Sequence, residues 1–361
     1  MEKINKVKKF FKKNIIDGYI VPKNDEFFGE YIPKNKDRLR YLSNFSGSYG
    51  FALILNNESY LYVDGRYSLQ AKIQSGNYLK IKTIPEELPF HVLKNKKIKI
   101  GFDPKLFTKK TLNIFFNKTK CIFLPINRNL IDNIWSRNKG SNNQKFYTLP
   151  EQSVGHNYKQ KINRVISEMI KKKCDLQFIT AGENIAWLLN VRGRDVKYSP
   201  VPNGYLLIDK KKNIDFFCDI KKITSKLKKK LSLVNFIDIK KTDLNLLKKT
   251  GNKTIIDKNT CSVYFENILK KNNKIVNEED PIYMLKSVKS KNEIKNIKQA
   301  HIYDGAALTK FLFWIKKNYQ TKNVTEISAS DKLYNFRKKN KKFKFLSFPT
   351  ISGTGPNGAI I

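Results

Sequence analysis

With 361 residues, 40% hydrophobic and 12% aromatic, the chain is long and apolar enough for two or three domains, each with its own core. No apolar run approaches the roughly 20 residues of a membrane-spanning helix, and the four cysteines form no CxxC pair, which excludes zinc-knuckle and dithiol redox motifs and leaves buried reduced thiols. The formal net charge of +40 invites a nucleic-acid reading, but only nine of the 71 basic residues are arginine, and the lysines are spread over nearly every segment rather than gathered on a phosphate-reading face.

In chain order, residues 1–16 alternate lysine with Ile, Val and Phe at helical spacing, which predicts a first helix and is too broken for a signal peptide. Tyr41-Leu42-Ser43-Asn44-Phe45-Ser46-Gly47 then precedes a hairpin pattern, Phe51 to Leu55, a polar Asn56-Asn57 turn, and Tyr60 to Val63. A helix follows over Tyr67 to Gln74, and a short apolar strand ends in Asp103. The same paragraph returns after residue 150. It has a helix over Tyr158 to Lys172, then Trp187-Leu188-Leu189-Asn190-Val191-Arg192-Gly193, a hairpin over Tyr205 to Ile208 and Ile214 to Cys218, and a strand ending in Asp257. Both second hairpin strands end in aspartate, Asp64 and Asp219, 155 residues apart. A sequence repeating one alternation of strands and helices predicts two tandem α/β domains of like fold.

The polar, turn-rich stretch 138–144 reads as the linker, giving domains over 1–140 and 150–278. A third unit over 280–361 opens near Asp280-Pro281. There Ser290-Lys291-Asn292-Glu293 is a capping box, and Ile297, Ala300, Ala307, Phe311 and Ile315 keep helical spacing. A second helix is expected after Thr325, and the apolar faces of both are expected to lack cover, leaving this unit the least stable. Ser352 to Gly358 spells a tight turn, and Ala359-Ile360-Ile361 reads as the entry to a buried strand, so the chain is expected to be the front part of a longer protein.

Chemistry-bearing constellations are sparse. The three histidines, His91, His156 and His301, lie far apart. His301 and Asp304 are three apart on one helix, but a histidine packed between helices is the plainer account. No Ser-His-Asp set, phosphate loop or zinc motif is present. The first copy has Asp64-Gly65-Arg66-Tyr67 where the second has Asp219-Ile220-Lys221-Lys222. A turn with a purely structural role should suit both copies, so the asymmetry points to a task for Arg66, such as reaching a carboxylate or peptide carbonyl. A local Asp64–Arg66 bridge is the alternative.

Taken together, Arg40 to Gly50, Asp64 to Gln70, Trp187 to Pro200, Pro281 to Ala307 and the closing Leu346 to Ile361 resemble the Xaa-Pro aminopeptidase (aminopeptidase P) family in its long three-domain form. That resemblance implies an α/β chain with two creatinase-like N-terminal domains in tandem, followed by the start of a pita-bread α+β catalytic domain. It further implies two divalent ions, manganese above all, held by carboxylates and a histidine that lie beyond Ile361. A metal-bridging hydroxide would attack the carbonyl before proline and release the N-terminal residue. Peptides with proline in second position are the implied substrates, with a homodimer for the complete enzyme and a cytoplasmic location. Of the family's functional residues only Arg66, the arginine of the DGRY motif, transfers, as a substrate-binding residue; no catalytic residue and no metal ligand does. His301 and Asp304 match positions that are not metal ligands. By itself the chain is expected to bind no metal and to be inactive, without membrane or nucleic-acid partners. The other reading is a non-catalytic creatinase-like module that binds peptide or nucleic acid.

Overall fold

Segments such as Gly18-Tyr19-Ile20-Val21-Pro22 are apolar along their whole length, which suits strands covered on both faces. In the computed structural model, which describes residues 1–137, 140, 142–321 and 323–359, the strands build two six-stranded sheets in succession and one small two-stranded sheet. Part of the expected linker (138, 139 and 141) and the final pair Ile360-Ile361 lie outside the described residues.

The first domain runs α1 (Glu2–Lys8), α2 (Phe11–Asn14), β1 (Gly18–Pro22), α3 (Arg38–Ser43), β2 (Gly50–Leu55), β3 (Ser59–Asp64), α4 (Ser68–Ser75), β4 (Lys80–Ile84), α5 (Pro89–Leu93), β5 (Lys99–Phe102), α6 (Lys109–Phe116) and β6 (Ile122–Pro125). The single N-terminal helix expected over 1–16 is thus two short ones. The second domain opens with β7 (Tyr147–Thr148), α7 (Tyr158–Lys171), β8 (Leu176–Ile179), α8 (Gly182–Leu188) and β9 (Val191–Arg192). It continues with β10 (Gly204–Asp209), β11 (Ile214–Cys218), α9 (Ser225–Lys230), β12 (Val234–Asp238), α10 (Thr242–Leu247), β13 (Lys253–Asp257), α11 (Val263–Lys270) and β14 (Lys274–Glu278).

The sheet orders are β4-β3-β2-β1-β5-β6 and β12-β11-β10-β8-β13-β14, the same topology twice. In each, an antiparallel hairpin carries one parallel strand on one side and, on the other, an antiparallel strand (β1 or β8) followed by two strands parallel to it. Local devices repeat as well. Asp17 and Asp175 each accept the amide of the neighbouring strand's first residue at 2.9 Å (Lys99 and Lys253). Asn44 and Asn190 both take the left-handed conformation, at φ 62° and 55°. Gly50 and Gly204 each begin a strand where a Cβ would lie 2.6 and 2.5 Å from a carbonyl oxygen of the partner strand.

The two domains are fastened to each other. At the start of α11, the amides of Val263 and Tyr264, which have no partner inside the helix, donate to Phe107 and Pro104 carbonyls at 2.8 and 2.9 Å. Lys109 reaches Glu266 at 2.5 Å. From the other side the loop over 23–37 sends Phe27 against Tyr205, with ring centroids 5.5 Å apart, and the Tyr205 hydroxyl donates to the Glu26 carbonyl at 3.0 Å. That loop is held by buried Arg38, whose guanidinium bonds Asp132 and Glu26, both at 2.8 Å. Burial opposes ionisation of Glu26, but Lys36 and Arg38 outweigh it and hold its pKa down to about 2.

The third unit comprises α12 (Ile282–Ser287), α13 (Lys291–Asn318) and α14 (Glu326–Lys338). In α13 and α14 only Ala307 and Ala329 are buried, while Ile302, Leu312, Phe313 and Ile327 are exposed. The expected uncovered apolar faces are there. Phe27→Ala should loosen the joint between the first two domains. The expected loss is roughly 1–3 kcal/mol in chemical unfolding, with faster proteolysis in 23–37 but not inside either sheet.

Candidate functional site

Where the three units meet there is a cleft of about 1210 Å³. The first domain supplies Arg40, Ser46 and Ser48, the second Arg194 and Tyr198, and the third Tyr334 and Phe345. The central wall is the loop from Gly193 to Asn203. Asp195 fixes it: one carboxylate oxygen accepts the Asn203 amide at 2.7 Å, and the other takes the ammonium of Lys222. Both side chains of that ion pair are buried, at 3% and 10% exposure, and Lys222 also lies over the Phe146 ring. Held this way, the loop presents Arg194 over Phe345, at 4.8 Å to the ring centroid, and Tyr198 against Tyr31, at 5.5 Å. One loop of the second domain therefore touches both of its neighbours.

Arg66 stands beside this cleft and does not line it. Asp64, at the end of β3, accepts the Arg66 amide at 3.0 Å, and the guanidinium folds back onto the same carboxylate at 2.6 and 3.1 Å. Asp219 accepts the Lys221 amide at 3.0 Å in the second copy, so the aspartate turn is common to both domains and the guanidinium belongs to the first alone. The local bridge is thus present, and it is exposed, with the Arg66 side chain at 57%. An exposed pair is a weak restraint, so the arm is free to exchange its partner. The next residue, Tyr67, is buried and shares a hydrogen bond of 2.7 Å with Ser48 of the cleft wall.

The residues present do not suit a metal pair. Among the described residues no three His, Cys, Asp or Glu side chains converge to hold an ion. Asp304 is engaged by Arg337 at 2.6 and 3.1 Å, and His301 is turned to the Ile297 carbonyl of its own helix at 2.9 Å. His301 is exposed, which corrects the expectation of a histidine packed between helices; among the described residues nothing covers that face of α13. Of the cysteines, Cys174, Cys218 and Cys261 are buried and Cys121 is half-buried, all as free thiols.

The sequence also concealed a polar core at the joint between the second and third units. Asp280 is buried and accepts from Gln177 at 2.8 Å, Asn184 at 2.7 Å and the Ile282 amide at 2.9 Å. Lys286 donates to the Asn184 amide oxygen at 2.6 Å. A buried acid at the start of a unit gives no signal in its neighbours, because its partners lie about a hundred residues earlier.

Comparison with known proteins now gives the class. Residues 3–126 and 137–293 each match the model for the creatinase/prolidase N-terminal domain, and residues 295–361 match metallopeptidase family M24. The chain is 31% identical over 382 residues to a probable Xaa-Pro aminopeptidase P of Paracoccidioides lutzii, covering 98% of this chain and 62% of that protein. It is 32% identical over 393 residues to Xaa-Pro aminopeptidase 1 of Dictyostelium discoideum, covering 100% and 61% respectively. An X-prolyl aminopeptidase from Caenorhabditis elegans, described as a cytosolic enzyme with a di-nuclear active site, superposes with a TM-score of 0.89 at 26% identity over 98% of this chain and 62% of that one. The chain belongs to the Xaa-Pro aminopeptidase P family, and it spans about three fifths of the length of these relatives. No helix among the described residues is long and apolar enough to cross a membrane.

Burial pushes the Asp280 carboxyl up from 3.8 to about 6, against its three hydrogen bonds. A carboxyl whose folded pKa is raised holds its proton when the unfolded one has lost it. Stability from this group is therefore full below about pH 4, falls as pH rises to about 6, and is level above, a difference of about 3 kcal/mol. In Asp280→Asn that segment of the pH–stability curve should flatten relative to the parent chain, read by urea unfolding from pH 4 to 7.

Proposed function

We propose that this chain is the N-terminal portion of an aminopeptidase that removes the residue preceding proline from the N-terminus of peptides. The observation that carries the proposal is the co-linear match of all three units to one enzyme over 98% of the chain. The catalytic step falls to the remainder of the M24 domain, with two divalent ions, manganese in our reading. The residues of this chain serve the substrate side. Arg66, on its exposed turn beside the three-unit cleft, releases Asp64 and offers its planar fork to a peptide carbonyl or carboxylate. The Asp195 clamp keeps Arg194 and Tyr198 fixed in the wall past which the peptide runs. The complete enzyme is a cytoplasmic homodimer in this reading.

Supplied with manganese, the 361-residue chain should release no amino acid from an Arg-Pro-Pro peptide. Joined to the remaining M24 region of the Dictyostelium relative, it should do so. In that chimera Arg66→Ala should raise KM roughly tenfold or more with a smaller change in kcat, and Arg66→Lys should recover part of the loss. A KM within about twofold of the parent would leave Arg66 with only its local bridge.

A further inference from the structure

The two sheets share one backbone frame, so each is a control for the other. Hydrogen bonds fix the correspondence at the edge where the first helices meet β5 and β6. Asp17 donates its amide to Lys99 as Asp175 does to Lys253, and the amide of Ile122 reaches Ile98 as that of Lys274 reaches Asn252. Ile15 donates to Lys12 as Lys173 does to Ile170. At this edge of the first domain lies a groove of about 530 Å³ floored by Ile16, Ile98 and Ile122 and rimmed by Lys12, Lys97, Lys99 and Lys120.

At the four lysine positions the second copy has Ile170, Gly251, Lys253 and Asn272, and at Ile15, Ile98 and Ile122 it has Lys173, Asn252 and Lys274. The frame therefore demands neither the isoleucines at 15, 98 and 122 nor three of the four lysines, Lys99 alone being kept, as Lys253. In the second copy Lys253 donates to the Lys172 carbonyl at 3.0 Å, and Lys210 pairs with Asp175 at 2.6 Å. In the first, none of the four ammoniums has a carboxylate partner among the described residues. Ile122 is 57% exposed, and Ile15 is 70% exposed while held at φ 52°, a left-handed conformation that strains a β-branched residue.

We propose that this groove binds an acidic segment of a partner protein, with an aliphatic side chain seated on the isoleucine floor and flanking carboxylates on the lysine rim. Four unpaired cations against the single carboxylate of Asp17 call for a multivalent anion. The concave apolar floor suits a side chain rather than a bilayer surface. Pro125, which has no amide to offer, ends the short edge strand β6 and leaves little edge for an added strand, which favours a partner held by side chains.

The test uses the 361-residue chain and a fluorescein-labelled peptide of four Asp-Glu-Leu repeats, read by anisotropy. Micromolar binding is expected at about 50 mM salt, weakened about tenfold or more when Lys12, Lys97, Lys99 and Lys120 are all changed to Gln. Changing Lys226, Lys228, Lys229 and Lys240 to Gln removes the same charge from exposed positions of the second domain and should shift binding less than about twofold. Ile122→Ser, or a peptide with Ser in place of Leu, should cost about fivefold. Unchanged melting curves verify that each variant folds. Equal losses in the two lysine quadruple variants, equal binding of the Ser peptide, or tighter binding of a 12-nucleotide DNA than of the peptide would each overturn the proposal.

Discussion

The docking of α11 on the loop after β5 is the contact on which the rest of the structure depends. A helix start leaves amides without partners, and here two of them are satisfied by carbonyls of the neighbouring domain. Neither domain can withdraw without exposing those groups, and Val263 sits in the apolar cluster of the first domain while doing so. With Phe27 anchored on Tyr205 from the other side, the two sheets have a fixed mutual orientation. That orientation brings Arg40 and Ser48 opposite Arg194 and Tyr198, and so creates the cleft.

Duplication gives the fold its economy and also marks where its two halves have diverged. The aspartates that end strands or brace their starts do the same work in both copies, which identifies them as structural. Differences on an identical frame are the informative positions: Arg66 against Lys221's neighbourhood, and the lysine-rimmed groove against its mixed counterpart. The same logic separates the compositional excess of lysine, spread everywhere, from four lysines gathered around an apolar floor.

Much of this was legible in the sequence because the signals were local. Hairpin periodicity, the aspartates at the strand ends (Asp64 as the last residue of β3, Asp219 just after β11) and the capping box at Ser290 each depend on residues within a few positions, and all are present in the structure. Arg66 was legible as a candidate through the asymmetry of the repeat, although its bridge to Asp64 could not be decided from spacing. The Asp195–Lys222 clamp and the Asp280 core were not legible, since their partners lie 27 and 103 residues away in sequence. His301 was misjudged for a related reason. Helical spacing gives a side chain its face on the helix but not whether another element covers that face.

By itself, then, the sequence determined the repeated α/β architecture, the third helical unit, the family resemblance and the residues that distinguish one copy from the other. These follow from short-range periodicity, turn chemistry and motif spacing. Only the tertiary structure decided that the two sheets lock together through α11, that Asp195 aims a loop into a three-unit cleft, and that four lysines surround one apolar groove. Each of those depends on contacts between segments distant in the chain, whose burial and pairing are set when the domains close on one another.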